Sequence, residues 1–160
     1  MLFSRRSRSI ACSIALVFLS ACSAPVLKTP VRVAAYDGPL RSIDEVGVFL
    51  PAQSVKISKI DGVDVATFKR GDTAFGMGGW EIELLPGKHS LEFDYLLEVP
   101  AYTVRSSSPT IKVVDVEAGH VYLANDVTFP DQRWDVKVAD VTTLERGNLA
   151  ARRAAAAARN

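Results

Sequence analysis

The chain has 160 residues, enough for one ordinary domain. Nineteen bases against 18 acids give a formal charge of +1, a balance that argues against a nucleic-acid partner. Two cysteines and two histidines exclude a disulfide scaffold and a His-rich metal site, and 48% apolar residues exclude wholesale disorder.

The N-terminal stretch is basic: Arg5, Arg6 and Arg8 precede the first acid, Asp37. The apolar run 10–19 follows, rising ~15 Å as a helix, about half of what a bilayer core requires. That is the build of a signal peptide and not of a spanning helix. Leu19-Ser20-Ala21-Cys22 closes the run and resembles the lipobox of bacterial lipoproteins. The resemblance implies acylation of the Cys22 thiol (a palmitate-type anchor), cleavage before it, and acylation of the new amino terminus. Several acyl chains together make anchoring effectively permanent. A secreted protein with an ordinary cleavage site is the alternative. Ser23, where an Asp would signal inner-membrane retention, points to the outer membrane by analogy with enterobacterial sorting. Loss of residues 1–21 removes three arginines, Cys12 and no acid, leaving 139 residues with 16 bases and 18 acids. The lipidated thiol is then the only one, so thiolate catalysis and thiolate metal sites drop out.

Residues 22–44 carry Pro25, Pro30 and Pro39 without sustained periodicity and read as anchor and tether, with 31–36 suited to a first strand. Short alternating segments follow. Val46, Val48 and Leu50 share a phase before Pro51. Val55 and Ile57 run toward Asp61-Gly62, with a phase break at Lys59-Ile60 that suggests a bulge. Trp80, Ile82 and Leu84 point one way and Glu81 and Glu83 the other. Pro86-Gly87 then turns the chain into His89, Leu91, Phe93 and Tyr95, and the two segments read as a hairpin. Residues 110–117, then Val121, Leu123, Val127 and Phe129, then Trp134, Val136 and Val138 complete the series. Without helices between strands there is no room for crossovers, so the pairing is expected to be antiparallel. The expected fold is all-β, an antiparallel β-sandwich of Ig-like or transthyretin-like type with about seven strands over 45–141. A small barrel is the alternative. In the tail, 142–160, Thr142 and Glu145 match a capping box, but Ala154–Ala158 offers no apolar stripe, so a frayed helix or disordered segment is expected.

Most candidate sites have a plain structural explanation. Gly76-Met77-Gly78-Gly79 precedes a strand and lacks a phosphate-loop lysine. Arg70-Gly71-Asp72 is too short to argue adhesion. His89 and His120 each open a strand after a glycine turn, without a third metal ligand at convincing spacing; His120, out of phase with its strand, is expected to be exposed. Glu81, Glu83, Glu92 and Asp94 fall on solvent-side positions. Ser106-Ser107-Ser108 lacks a nucleophile elbow. Among the aromatic residues, Trp80, Tyr95 and Trp134 are in phase with the core. Tyr102 and Tyr122 are freer, and are the candidate ligand contacts.

Tyr36-Asp37-Gly38-Pro39, Glu45-Val46-Gly47-Val48, Ile60-Asp61-Gly62, Leu85-Pro86-Gly87-Lys88-His89 and Ala118-Gly119-His120-Val121-Tyr122 give the chain a pattern over about 36–141. It resembles small proteobacterial lipoproteins without an assigned activity, and the Asp-Gly and Leu-Pro-Gly-x-His elements resemble PEGA-type β-sandwich modules. The resemblance implies a fold and no chemistry. The expected function is a non-enzymatic binding or structural module of the cell envelope, anchored in the outer membrane through Cys22. It has no catalytic, metal or cofactor site, and its partner is another envelope protein or a glycan. The alternative is a glycan- or peptidoglycan-binding module that uses exposed aromatics.

Overall fold

The computed structural model describes residues 31–70, 79–131 and 133–158. Cys22 and residues 71–78 of the glycine-rich loop, with the expectations attached to them, lie outside the described residues. Among the described residues strand is the main element, at 52%, and the fold is β-rich as expected.

Eleven strands form two sheets among the described residues. In chain order they are β1 (Val31–Ala34), β2 (Gly47–Pro51), β3 (Val55–Ile60), β4 (Val63–Asp64), β5 (Lys69–Arg70), β6 (Trp80–Leu84), β7 (Gly87–Val99), β8 (Tyr102–Arg105), β9 (Thr110–Val116), β10 (Val121–Thr128) and β11 (Trp134–Asp140). An α-helix, α1 (Thr142–Ala157), follows. The larger sheet has the order β11-β10-β2-β6-β1-β5. In the smaller one β4, β3 and β7 are neighbours, and β8 and β9 pair in turn with β7.

Two expectations about pairing are corrected. First, β6 and β7 do not form a hairpin. The Leu85-Pro86-Gly87 corner, with Gly87 at φ 136°, carries the chain from the larger sheet to the smaller one. Ile82 and Leu84 therefore meet Leu91 and Phe93 across the core. Alternation reads the same for strands side by side and for strands face to face, because both reversals turn the same residues inward. Second, the sheet is mixed. β1 lies parallel to β6 (Val31 opposite Trp80) and β2 parallel to β10 (Val48 opposite Val121). The connections that a parallel pair needs pass through the other sheet instead of through a helix.

The β3–β4 hairpin carries the expected turn chemistry. Asp61 (φ 51°) and Gly62 (φ 81°) join β3 to β4 with two positive φ angles in succession, as a tight two-residue hairpin requires. The phase break in β3 is real, since its register against β7 shifts between Ile57 and Lys59.

The space between the sheets is filled by Val33, Phe49, Ile82 and Leu84 from one side and Ile57, Leu91, Phe93 and Val116 from the other, each worth ~1.5–3 kcal/mol when fully buried. A second cluster lies on the outer face of the larger sheet, where Val46, Val48 and Val121 pack with Leu149 of α1. The C-terminal segment is thus helical from Thr142 to Ala157, with Leu149 fully buried. Its docking stripe is Leu149 plus Arg153, four residues on, a mixed stripe that an apolar count misses.

Candidate functional site

The outer face of the larger sheet holds the first polar cluster. Glu81 and Glu83, expected on the solvent side, are 3% and 0% exposed. The expectation fails because α1 covers that face. A buried carboxylate needs partners. Arg32 of β1 donates from Nε to Glu83 Oε1, and Tyr36 donates its hydroxyl to Glu83 Oε2 at 2.7 Å. Arg153 donates from Nε to Glu81 Oε2 at 3.1 Å, and its Nη2 comes within 2.7 Å of Glu83 Oε1 without hydrogen-bond alignment. Burial, then the bond to Glu83, pushes the Tyr36 hydroxyl above its ordinary value and keeps it a donor. Trp80, in phase with Ile82 and expected inward, is 36% exposed at the start of the strand.

The second cluster begins at the opening between β9 and β11, the outermost strands of the two sheets on that side. Here a groove of about 470 Å³ is lined by Lys112, Val114, Tyr122, Val136, Val138 and Asp140. Lys112 spans it at one end, its Nζ 2.7 Å from Asp135 Oδ1. Hydrogen bonds from Lys112 and from the Val136 N–H hold the Asp135 carboxyl below its ordinary range. Tyr122 forms the floor. It is 6% exposed, stacks on Phe49 with ring centroids 4.8 Å apart, and accepts the Glu117 N–H at 2.9 Å. The expectation of a free, surface-lying Tyr122 is therefore corrected: the ring belongs to the core and only its edge reaches the groove. Burial raises the pKa of its hydroxyl. Tyr102, in contrast, is 63% exposed and lies in β8, outside the groove lining.

At the other end of the groove, His120 Nδ1 lies 2.7 Å from Asp140 Oδ2. Asp140 Oδ1 also accepts the Thr142 hydroxyl at 2.6 Å and the Thr142 N–H at 2.9 Å, and these bonds pull its carboxyl down to about 2. Thr142 Oγ1 in turn accepts the Val121 N–H at 2.9 Å. The expected capping box is replaced: Asp140, two residues earlier, takes the first helical N–H, and Thr142 ties the helix to β10. His120 is half-buried, not fully exposed as expected.

His89 does comparable work at the corner between the sheets. Its Nε2 lies 2.8 Å from Leu85 O and its Nδ1 2.7 Å from Asp61 Oδ2. Asp61 also accepts the Ser90 N–H at 2.8 Å; burial would raise the Asp61 pKa, and these bonds outweigh it and lower it. His89 of Gly87-Lys88-His89 and His120 of Gly119-His120 are thus pins between chain segments. Among the described residues no group of three or more His, Cys, Asp or Glu is placed to share a metal ion.

Comparison of the chain with protein-family models, with curated proteins and with solved structures finds no match.

Proposed function

We propose that the chain is a non-enzymatic binding module of the cell envelope, anchored by lipid on Cys22 to the outer membrane. The observation that carries the binding reading is the groove between β9 and β11. Among the described residues each of these strands has one neighbour, β7 and β10 respectively, so each presents an outer backbone edge. Val113 beside the groove is 72% exposed and Ile111 61% exposed. An edge strand beside an apolar floor suits an extended segment of another protein, with backbone bonds supplying affinity and the Lys112 and Asp140 ends supplying register. The side chains that could serve acid–base chemistry, His89, His120, Glu81 and Glu83, are engaged in ties between segments, which favours binding over catalysis.

The test places a photo-crosslinking residue at Val113 in cells, with Ala66, also exposed, as control. A discrete adduct from position 113 alone supports the reading; adducts equal at both positions, or at neither, overturn it. Loss of lipid labelling in Cys22→Ser tests the anchor. The Ig-like or transthyretin-like description belongs with this proposal; two sheets facing one core support it, and the two parallel pairings depart from it.

The glycan reading rests on Tyr102, whose exposed ring could stack on a sugar. Binding to peptidoglycan fragments that is lost in Tyr102→Ala would favour it over the groove.

A further inference from the structure

We propose that one end of the domain, the end carrying Trp80, the β7–β8 turn and the β10–β11 turn, lies against the lipid headgroup layer; this rests on the Cys22 anchor reading and adds an orientation to it. Register puts these elements together. Val31 pairs with Trp80, Thr128 with Trp134, and Val55 with Tyr95, and the Tyr95 and Trp134 rings meet across the sheets at 5.8 Å. The start of β1, the start of β6, the end of β10 and the far half of β7 therefore share one end. The described chain begins here, with the Val31 N–H bonded to Gly79 O at 3.0 Å. From Cys22 to Val31 the chain spans at most ~30 Å, so an anchor at Cys22 keeps this end near the bilayer.

The same end gathers the exposed aromatic side chains. Trp80 is 36%, Tyr102 63% and Phe129 43% exposed, and the other large exposed apolar residues of the described chain are all aliphatic. Val104 at 40% adds to the patch, and Pro100 and Ala101 at the β7–β8 turn are exposed. Scattered surface apolar residues need no explanation, but three aromatics at the end where the anchor departs do. Trp and Tyr rings favour the boundary between headgroups and acyl chains. Arg105 is exposed in β8, and Arg133 sits 5.6 Å from the Phe129 ring, placed for its stem to lie on apolar surface while its head meets phosphate. Glu98 and Asp131 are the exposed acids here, and Asp131 is held by Arg133 at 2.5 Å.

The experiment uses the full acylated chain in vesicles of phosphatidylethanolamine and phosphatidylglycerol, with Trp134→Phe so that Trp80 reports alone. On reconstitution, quenching of Trp80 by aqueous acrylamide should fall roughly threefold, and lipids brominated near the headgroup should quench it. Replacing both Tyr102 and Phe129 by Asp, at exposed positions that leave folding intact, should restore acrylamide access. A bound, acylated chain whose Trp80 stays open to acrylamide overturns the orientation and leaves the anchor standing. Protection without bromolipid quenching also overturns it, since a second copy or another protein then covers the patch. The Cys22→Ser chain separates the two readings: release from vesicles upholds the anchor, whereas retention with Trp80 still quenched overturns the anchor and upholds the lipid-facing end.

Discussion

Arg153 of the last helix and Glu81 of β6 are 72 positions apart in sequence and 3.1 Å apart in the fold. Their contact, shared with Glu83 and Arg32, decides whether the C-terminal segment is a tail or a layer of the structure.

Replacing Glu83 by Gln leaves Arg32 without its buried anion and Arg153 with Glu81 alone. The variant should lose about 3 kcal/mol or more of unfolding free energy in urea, with an early loss of helical signal by circular dichroism. Arg153→Ala should cost less, because its side chain keeps 18% of its surface in water. Unchanged stability in Glu83→Gln would mean that the cluster holds nothing.

Asp140 makes the fold acid-sensitive in a defined window. Its carboxyl falls from 3.8 to about 2 on folding, so the unfolded chain binds the proton more readily. The resulting stability is complete above about pH 4 and is lost as pH drops through about 2. With 47% of the side chain exposed, solvent screening reduces it to about 1 kcal/mol. Asp140→Asn should be less stable than the parent by that amount at pH 6, and the gap should close near pH 2. A gap that persists in acid would place the effect elsewhere.

Gly47, at the start of β2, sits against the end of β9. A Cβ there would stand 2.3 Å from Val116 Cγ1, 3.1 Å from the Glu117 carbonyl and 3.3 Å from the Tyr122 ring. Gly47→Ala should cost about 2 kcal/mol by overpacking, seen as a lower thermal midpoint. Gly119→Ala should also destabilise, for a different reason: its φ of 79° penalises a side chain although the nearest atoms are those of the movable Arg146 guanidinium.

Leu149 is the one fully buried apolar residue of α1. Leu149→Ala should cost about 3 kcal/mol and release the helix from Val46, Val48 and Val121, read as faster amide exchange along α1. Slow exchange retained there would assign the docking to the arginines alone.

Inward residues of single strands were legible because period two is strong: Ile82, Leu84, Leu91 and Phe93 are all in the core. What alternation could not show was the partner of each strand or the number of covered faces. Glu81 and Glu83 read as wet because a two-sheet fold usually leaves its outer faces to water, and only a helix elsewhere in the chain changes that. Phase alone puts Val121 and Leu123 in the main core, whereas Tyr122 and Ala124 fill it and Val121 belongs to the cluster under α1. Phe129, in phase with Val127, is past the strand and 43% exposed. For the groove, the signal was weaker still. Its walls come from β9 and β11, whose relation depends on which sheet each joins, and the Pro86-Gly87 corner that settles this looks like a hairpin turn in sequence.

The mixed pairing of the larger sheet also sets a timetable. β2 is flanked by β6 and β10, and its parallel partner in β10 begins with Val121, 73 positions after Val48. A nascent chain thus holds β2 half-paired until most of the remaining sequence has arrived, and folding dominated by such distant pairings is slow. During that interval the unfilled edge beside Val48 and Phe49 is a sticky one, and a chaperone that shields it would act on the larger sheet before the helix can close over it.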